Sequence, residues 1–121
     1  MDIEAIMERV ESSGMPERFR AALNNDLEII KRAKIPGMCA VILFGSGARG
    51  ELRGGSDLDL LLVTNEKIDS GIRCEVRSAL DEEFRGVRTD LVFYTKEVFN
   101  EADSFFIRNV RRDGKILWLQ K

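Results

Sequence analysis

The sequence predicts a small mixed α/β (α+β) protein in which helices pack on one β-sheet. Two short and largely apolar runs, Met38 to Phe44 and Asp57 to about Thr64, are typical of buried strands because they are bounded by turn residues. A third segment, Val87 to Thr95, alternates its side chains between two faces, as a strand does. Stretches with apolar residues three or four positions apart lie before and after these runs, which indicates amphipathic helices.

The composition is that of an ordinary globular protein with no bias toward nucleic acid. The 121 residues, 44% hydrophobic and 33% charged, suit one domain over positions 1–121. The 19 basic and 21 acidic residues leave a net charge of −2, which gives no general attraction to a polyanion. There is no apolar run of about 18 residues and no signal-peptide pattern, so we expect a cytoplasmic protein.

The sequence contains no histidine and two cysteines. Without histidine, a zinc site lacks a usual ligand and acid–base catalysis lacks its usual base. Cys39 and Cys74 follow no metal-site or redox motif, so we expect two small apolar side chains in a reducing compartment. Any chemistry must therefore rest on carboxylates, hydroxyls and basic side chains.

Two helices are predicted before the first strand. Asp2 is a suitable cap for the first helix, and Gly14 would end it. Its apolar residues are Ile3, Ile6, Met7 and Val10. Pro16 suits the first turn of the second helix, and Pro36-Gly37 stops it. The stripe of this helix that faces the core consists of Phe19, Leu23, Leu27 and Ile30. The first helix could dock on a partner as readily as on its own domain.

Two helical regions are predicted around the third strand. Ser70 is a candidate cap of the first region, which Gly86 ends. Its apolar residues are Ile72, Val76, Leu80 and Phe84. The second region runs from Lys96 to Asp113, and Gly114 separates it from a short terminal strand or extended tail, Lys115 to Leu119. Its apolar side consists of Val98, Phe99, Ala102, Phe106 and Val110.

Some side chains near the C-terminus have two possible roles. Arg108, Arg111 and Arg112 could complement the negative end of the helix dipole, or bind an acceptor or a partner. Trp118 could anchor the terminal strand to the core, or meet another subunit together with Phe105. The residues alone leave both questions open.

A glycine-rich turn, Gly45 to Gly50, directly follows the first strand. We expect a short helix over Ser46 to Leu52, whose free backbone N–H groups would point at a phosphate. Gly45 would let the phosphate approach the main chain, the Ser46 hydroxyl would donate to it, and Arg49 would add a forked cation.

The same turn matches two better-known nucleotide motifs poorly. It has the G-x-G-x-x-G pattern, but Gly54 and Gly55 stop any helix within two turns, and the next strand follows at once. A Rossmann unit needs a full helix at this point, so that fold is not indicated. A P-loop is excluded because no Gly-Lys-Ser/Thr follows the glycines.

Two carboxylates open the second strand. Asp57 and Asp59 are two residues apart, so they project from one face, roughly 6.6 Å apart along the backbone. Such a pair is often a solvated surface feature, but like charges beside a buried strand repel each other, and a divalent cation removes that cost. Asp90 would complete a triad if the third strand pairs beside the second.

These motifs together resemble a known enzyme superfamily. Gly45-Ser46, ten intervening residues and Asp57-x-Asp59 resemble the signature of the DNA polymerase β-type nucleotidyltransferases. Gly-Ser-x-Ala-Arg-Gly followed by Ser-Asp-Leu-Asp-Leu is similar to the minimal nucleotidyltransferases, the antitoxin partners of HEPN toxins. The core motif covers Gly45 to Val63, and the similar layout extends from about Phe19 to Leu119.

The resemblance implies a nucleotidyltransferase fold and a mechanism. Asp57 and Asp59 would bridge two Mg²⁺ ions, and Asp90 would bind the catalytic ion and draw the proton from the acceptor. Gly45, Ser46 and Arg49 would hold the β- and γ-phosphates of ATP. The expected reaction moves AMP onto a hydroxyl, a tyrosine, of a HEPN toxin. The alternative is a non-catalytic antitoxin that neutralises its partner by occlusion.

Overall fold

The structure is a computed structural model that describes residues 15–120. Within these residues the chain forms five helices and four strands. In chain order they are α1 Glu17–Ala33, β1 Met38–Phe44, α2 Gly45–Ala48, β2 Leu58–Thr64, α3 Ser70–Leu80, β3 Thr89–Thr95, α4 Lys96–Glu101, α5 Phe105–Asp113 and β4 Lys115–Leu119. The helix predicted to start near Asp2 lies outside the described residues.

The four strands form one mixed sheet in the order β3-β2-β1-β4. β1 pairs antiparallel with β2 and with β4, and β2 pairs parallel with β3. A parallel pair needs a crossover connection, and α3 supplies it here. The sheet and its helices confirm the predicted mixed α/β class.

β2 is the central strand of the fold and is buried on both faces. Its alternate residues divide between two cores. Leu58, Leu60 and Leu62 contact the larger core, and Leu61 and Val63 contact the smaller one. The larger core lies under α1 and α3 and contains the whole predicted α1 stripe, whose members are each at most 3% exposed. The smaller core lies under α4 and α5, which contribute Phe99 and Val110.

The helix predicted from Ser70 to Gly86 is shorter than expected. It ends at Leu80, because Phe84 and Val87 exchange two backbone hydrogen bonds of 3.0 Å around a tight turn. The cap is also different from the prediction. The carboxylate of Asp69 accepts a hydrogen bond of 3.2 Å from the Gly71 N–H, and Ser70 is the first helical residue. The second and third strands begin at Leu58 and Thr89, each slightly later than predicted.

The helical region predicted over Lys96 to Asp113 is two helices, not one. The break at residues 102–104 arises because Ser104 caps α5 by accepting a hydrogen bond of 3.2 Å from the Ile107 N–H. Arg111 then donates to the carbonyls of Phe99 and Ala102 at the end of α4. This arginine therefore joins the two helices by satisfying carbonyls that a helix end leaves unpaired.

The other two arginines of that cluster also contact α5 or the segment before it. Arg108 lies 3.6 Å from Asp103, and Arg112 lies 3.0 Å from Asp113. Arg108, Asp103 and Arg112 are largely exposed to solvent and Asp113 is 24% exposed, and such surface pairs contribute little to stability.

The terminal strand forms as predicted. β4 pairs with β1, and Trp118 packs against the larger core, whereas Phe105 is 74% exposed.

Both cysteines are free thiols, but only Cys39 is partly buried, and Cys74 is exposed. Over residues 15–120 no helix is both long and apolar enough to span a bilayer.

A carboxyl group lies on the buried stripe of α1. Asp26 is 3% exposed and accepts a hydrogen bond from the Thr89 hydroxyl. Burial raises the pKa of Asp26 from 3.8 to about 6, although the hydrogen bond from Thr89 acts to lower it. The carboxyl group of Asp26 therefore binds its proton more tightly in the folded state than in the unfolded state.

We expect Asp26→Asn to change how stability depends on pH. Because the folded pKa is raised, the contribution of Asp26 is fully present below about pH 3.8 and is lost as the pH rises through about 6. The difference of about two pKa units corresponds to at most about 3 kcal/mol. The variant should therefore gain stability over the wild type between about pH 4.5 and 7.5, as measured by urea unfolding. An identical pH slope for both proteins would contradict this expectation.

Candidate active site

The last residue of β1 and the first residues of β2 and β3 lie at the same end of the sheet. Phe44, the last residue of β1, lies opposite Asp59 near the start of β2. Asp59 in turn lies opposite Asp90 near the start of β3. A backbone hydrogen bond of 2.8 Å from the Leu58 N–H to the Arg88 carbonyl ties the two strand starts together. The fold thus brings the glycine turn after β1 to the same end of the sheet as the acidic residues.

Asp59 and Asp90 project from the same face of the sheet. Asp59 alternates with residues of the larger core and shares its face with Leu61, while Asp90 shares its face with Val92. Neighbouring strands lie about 4.8 Å apart, so the two carboxylates are adjacent. Asp57 comes just before β2 and is exposed, as is Asp90. Asp59 is the most enclosed of the three.

The charges around Asp59 repel each other. The pKa of Asp59 is raised from 3.8 to about 6, first by burial and then by the carboxylates of Asp90 and Asp57, while Arg49 opposes the rise. Both other acids therefore lie close enough to act on Asp59. A cation placed among them would relieve the repulsion and favour the ionised form of Asp59.

Gly45 is packed against the carboxylate of Asp59. Its φ of 70° lies in the left-handed region, and a Cβ atom at this position would collide with the Asp59 carboxylate oxygen. Gly50 has a similar φ of 72°, but a Cβ there would meet nothing within 4 Å. The close approach of main chain and carboxylate is thus a property of Gly45 in particular.

The turn itself is tighter than predicted. The helix α2 covers only Gly45–Ala48, instead of Ser46 to Leu52, because the chain turns back on itself with a hydrogen bond of 2.9 Å from the Glu51 N–H to the Ser46 carbonyl. So short a helix has little dipole of its own. What the turn can offer an anion is the backbone N–H groups and the Ser46 hydroxyl, beside the acidic cluster.

A basic side chain lies beside the same cluster. Arg49 forms an ion pair of 2.8 Å with Glu51, and both side chains are about half exposed. Its positive charge also opposes the rise in the pKa of Asp59. Exposed pairs of this kind are weak, so the guanidinium can exchange Glu51 for a phosphate at little cost.

The donor set suits a hard divalent cation. The oxygens of Asp57, Asp59 and Asp90 are ligands that Mg²⁺ prefers, and Asp59 lies in a cradle that a Cβ at position 45 would fill. Across residues 15–120, no three acidic or thiol side chains converge closely enough to cage a metal by themselves. Mg²⁺ at nucleotide sites is usually held by one or two carboxylates together with the substrate phosphates, so the arrangement fits that mode of binding.

Two residues that contact a predicted site residue or its neighbour in the chain were not anticipated from the sequence. Glu51 forms an ion pair with Arg49, the predicted phosphate-binding arginine. The spacing of two residues between them is only a weak signal for such a pair. Asp26 accepts a hydrogen bond from the hydroxyl of Thr89, which is the residue before Asp90. A signal for Asp26 was available, since a carboxylate between Leu23 and Leu27 falls on the core-facing stripe of the helix.

Comparison with known proteins assigns this geometry to a family. The family model described as "Nucleotidyltransferase domain" matches residues 27–117. A candidate protein adenylyltransferase of Methanocaldococcus jannaschii is 34% identical over 79 residues, which are 64% of this chain and 76% of that protein.

Solved structures give a consistent result. A chain of a toxin–antitoxin complex with AMP-PNP is 30% identical with a TM-score of 0.56, covering 80% of this chain and 75% of the other. A complex from Shewanella oneidensis, of a tri-AMPylated HEPN toxin with an MNT antitoxin, matches at 28% identity and a TM-score of 0.51 over 82% of this chain and 73% of the other. These relatives confirm the resemblance to minimal nucleotidyltransferases. The chain belongs to the nucleotidyltransferase family of enzymes.

Proposed function

We propose that this protein transfers AMP from ATP to a hydroxyl group of a HEPN-family partner, in a reaction that requires Mg²⁺. The observation that carries the proposal is the position of Asp59, which lies beside Asp90 on the next strand and against Gly45 of the turn. The relatives support the substrates, because one comes from a toxin–antitoxin complex with AMP-PNP and another from a complex of an AMPylated HEPN toxin with an MNT antitoxin. The free thiols of Cys39 and Cys74 are compatible with a cytoplasmic location.

In the proposed reaction the acceptor oxygen attacks the α-phosphorus of ATP. A new P–O bond forms while the bond to the bridging oxygen breaks, and pyrophosphate leaves with that electron pair. Asp90 takes the proton of the acceptor hydroxyl and passes it to solvent, to which its carboxylate is exposed. The partner hydroxyl expected from the resemblance is that of a tyrosine.

The other side chains position the triphosphate. The N–H groups that follow Gly45, together with the Ser46 hydroxyl, bind the β- and γ-phosphates, and Arg49 adds a forked cation after it leaves Glu51. Asp57, Asp59 and Asp90 would hold two Mg²⁺ ions, which supply charge neutralisation at the triphosphate and the leaving group. Positioning and electrostatics provide most of the rate in such a site.

A second candidate function is occlusion of the partner without chemistry. It is favoured by apolar side chains that are exposed on α4, α5 and β4. They include Val98 at 44%, Phe105 at 74% and Ile116 at 53%. Exposed apolar surface is a common feature of protein interfaces. This function would leave the acidic cluster idle or regulatory.

One experiment separates the two functions. The protein is mixed with its HEPN-family partner, Mg²⁺ and ATP labelled at the α-phosphate, and label on the partner is measured together with the partner's toxic activity. In a matched reaction, α,β-methylene ATP replaces ATP, because it can bind but its α,β bond cannot be broken. Catalysis predicts label and inactivation with ATP only. Inactivation without label, and equally with the analogue, would establish occlusion and reject AMP transfer.

A further inference from the structure

We propose that Asp26 is a positioning residue, which acts through the Thr89 hydroxyl to fix the direction in which Asp90 projects at the start of β3. This inference rests on the function proposed above. It concerns a buried polar contact that lies on the opposite side of the sheet from the acidic cluster.

The first observation is the cost of placing a carboxyl group here. Asp26 is 3% exposed and lies on the same helical stripe as Leu23, Leu27 and Ile30, in the larger core. Burial of a carboxyl group is unfavourable unless it gains a partner, and an apolar residue would pack at this position without that cost. Its side-chain partner is Thr89, which directly precedes Asp90.

The second observation is the alternation of side chains along β3. Thr89 points toward α1, where it reaches Asp26, and Asp90 points to the opposite face, beside Asp59. Holding the hydroxyl of Thr89 from below limits rotation of the strand about its own axis. That rotation is the motion that would swing the Asp90 carboxylate away from Asp59.

The third observation is where this contact lies in the sheet. Among the strands of residues 15–120, β3 is at the edge of the sheet in the order β3-β2-β1-β4, and β2 is its only neighbour. Thr89 is its first residue, and strand ends are where pairing is weakest. The Asp90 carboxylate thus lies one residue from the start of the strand, where the hydrogen bond from the Leu58 N–H to the Arg88 carbonyl is the first backbone tie to β2. The Asp26–Thr89 hydrogen bond ties that end to the longest helix described in the structure.

Asp26 does not act on the substrate directly. It lies beneath the sheet, in the core, and the acidic cluster lies on the other face with α4 and α5. The structure therefore assigns Asp26 a role in geometry, not in proton transfer or metal binding.

The test compares three threonine variants. Thr89→Val removes the hydroxyl but keeps the shape and strand propensity of the residue, and Thr89→Ser keeps the hydroxyl. Thr64→Val is the matched control, because Thr64 is also a threonine in a strand of the sheet. It is 2% exposed, and its hydroxyl donates a hydrogen bond of 2.7 Å to the Glu66 carbonyl at the far end of β2. Urea unfolding confirms that each variant is folded under assay conditions.

Two readouts are measured with the full chain. The first is AMP transfer to the partner, separated into kcat and the KM for ATP. The second needs no turnover: the factor by which Mg²⁺ tightens the binding of α,β-methylene ATP. We expect Thr89→Val to lower kcat about 10- to 100-fold and to lose most of the Mg²⁺ effect, as supporting partners of metal ligands do. Thr89→Ser and Thr64→Val should stay within about threefold of the wild type in both readouts.

Asp26→Leu provides a second variant that leaves the sequence of β3 unchanged. It should reproduce the losses of Thr89→Val, and the double variant should be no worse than either single one, because one interaction cannot be lost twice. If Thr89→Val matches the wild type, or if Thr64→Val loses as much, the positioning role is rejected while AMP transfer stands. If the wild type shows neither AMP transfer nor a Mg²⁺ effect on binding, the proposed function fails and this inference fails with it.

Discussion

Asp59→Asn should abolish AMP transfer and yet leave the nucleotide-free protein at least as stable as the wild type. Asp59 is the acid that lies beside both the turn and Asp90, so its loss removes the centre of the cation site. We expect transfer to fall at least about 1,000-fold, which corresponds to about 4 kcal/mol of lost transition-state stabilisation.

The stability part of this prediction follows from the charge repulsion. The pKa of Asp59 is raised to about 6, so above that pH Asp59 is ionised in both the folded and the unfolded state. Its carboxylate is unfavourable only in the folded state. Replacing it by a neutral amide should raise the free energy of unfolding at about pH 7.5 by about 1 kcal/mol, since the side chain remains partly solvated. The stabilisation that Mg²⁺ and nucleotide give the wild type should disappear in the variant.

Urea unfolding with and without Mg²⁺ and α,β-methylene ATP measures both effects. Glu66→Gln is a suitable control, because Glu66 is an exposed acid in the connection after β2, at the far end of the sheet. A variant that is less stable without ligands and is still stabilised by Mg²⁺ would rule out a cation site at Asp59.

Gly45→Ala is the second change with a large expected effect. Alanine at a φ of 70° costs roughly 1–2 kcal/mol, and its methyl group would also collide with the Asp59 carboxylate. Either the turn or the carboxylate must move, and both belong to the proposed site. We expect AMP transfer to fall about 100-fold or more, comparable to the loss of one preorganised charge-stabilising group.

Gly50→Ala separates strain from collision. Its φ of 72° imposes the same backbone cost, but nothing lies within 4 Å of the added methyl group. It should lose roughly 1 kcal/mol of stability and stay within about threefold of wild-type transfer. Equal losses of transfer in the two variants would show that backbone strain alone accounts for the effect, and that the contact between Gly45 and Asp59 does not matter.

Patterns of neighbouring residues predicted most of the elements. The stripe Phe19, Leu23, Leu27 and Ile30 predicted α1 and its buried face, and every member is in the core. The continuous apolar run after Asp57 predicted a buried strand, and β2 is covered on both faces. These predictions succeed because helical and strand periodicity depends only on residues close in sequence.

Where the elements end was predicted less well, because competing local hydrogen bonds decide it. A continuous apolar pattern from Lys96 to Asp113 hides the break that Ser104 creates when it caps α5. Likewise, Asp69 takes the capping role expected for Ser70, and the Phe84–Val87 turn ends α3 early. Several residues at each boundary can cap a helix, and the packing of the whole domain selects among them.

The spacing of the acidic residues and the glycine turn could be found in the sequence, and they carry the resemblance to nucleotidyltransferases. The sequence is enough for the acidic pair because side chains two apart on a strand share a face. Only the tertiary structure decided that β3 lies parallel beside β2, which brings Asp90 next to Asp59. It alone also set Gly45 against that carboxylate and Asp26 beneath the next strand. The reason is that these contacts join residues far apart in the chain, and only the pairing and packing of whole elements determine such distances.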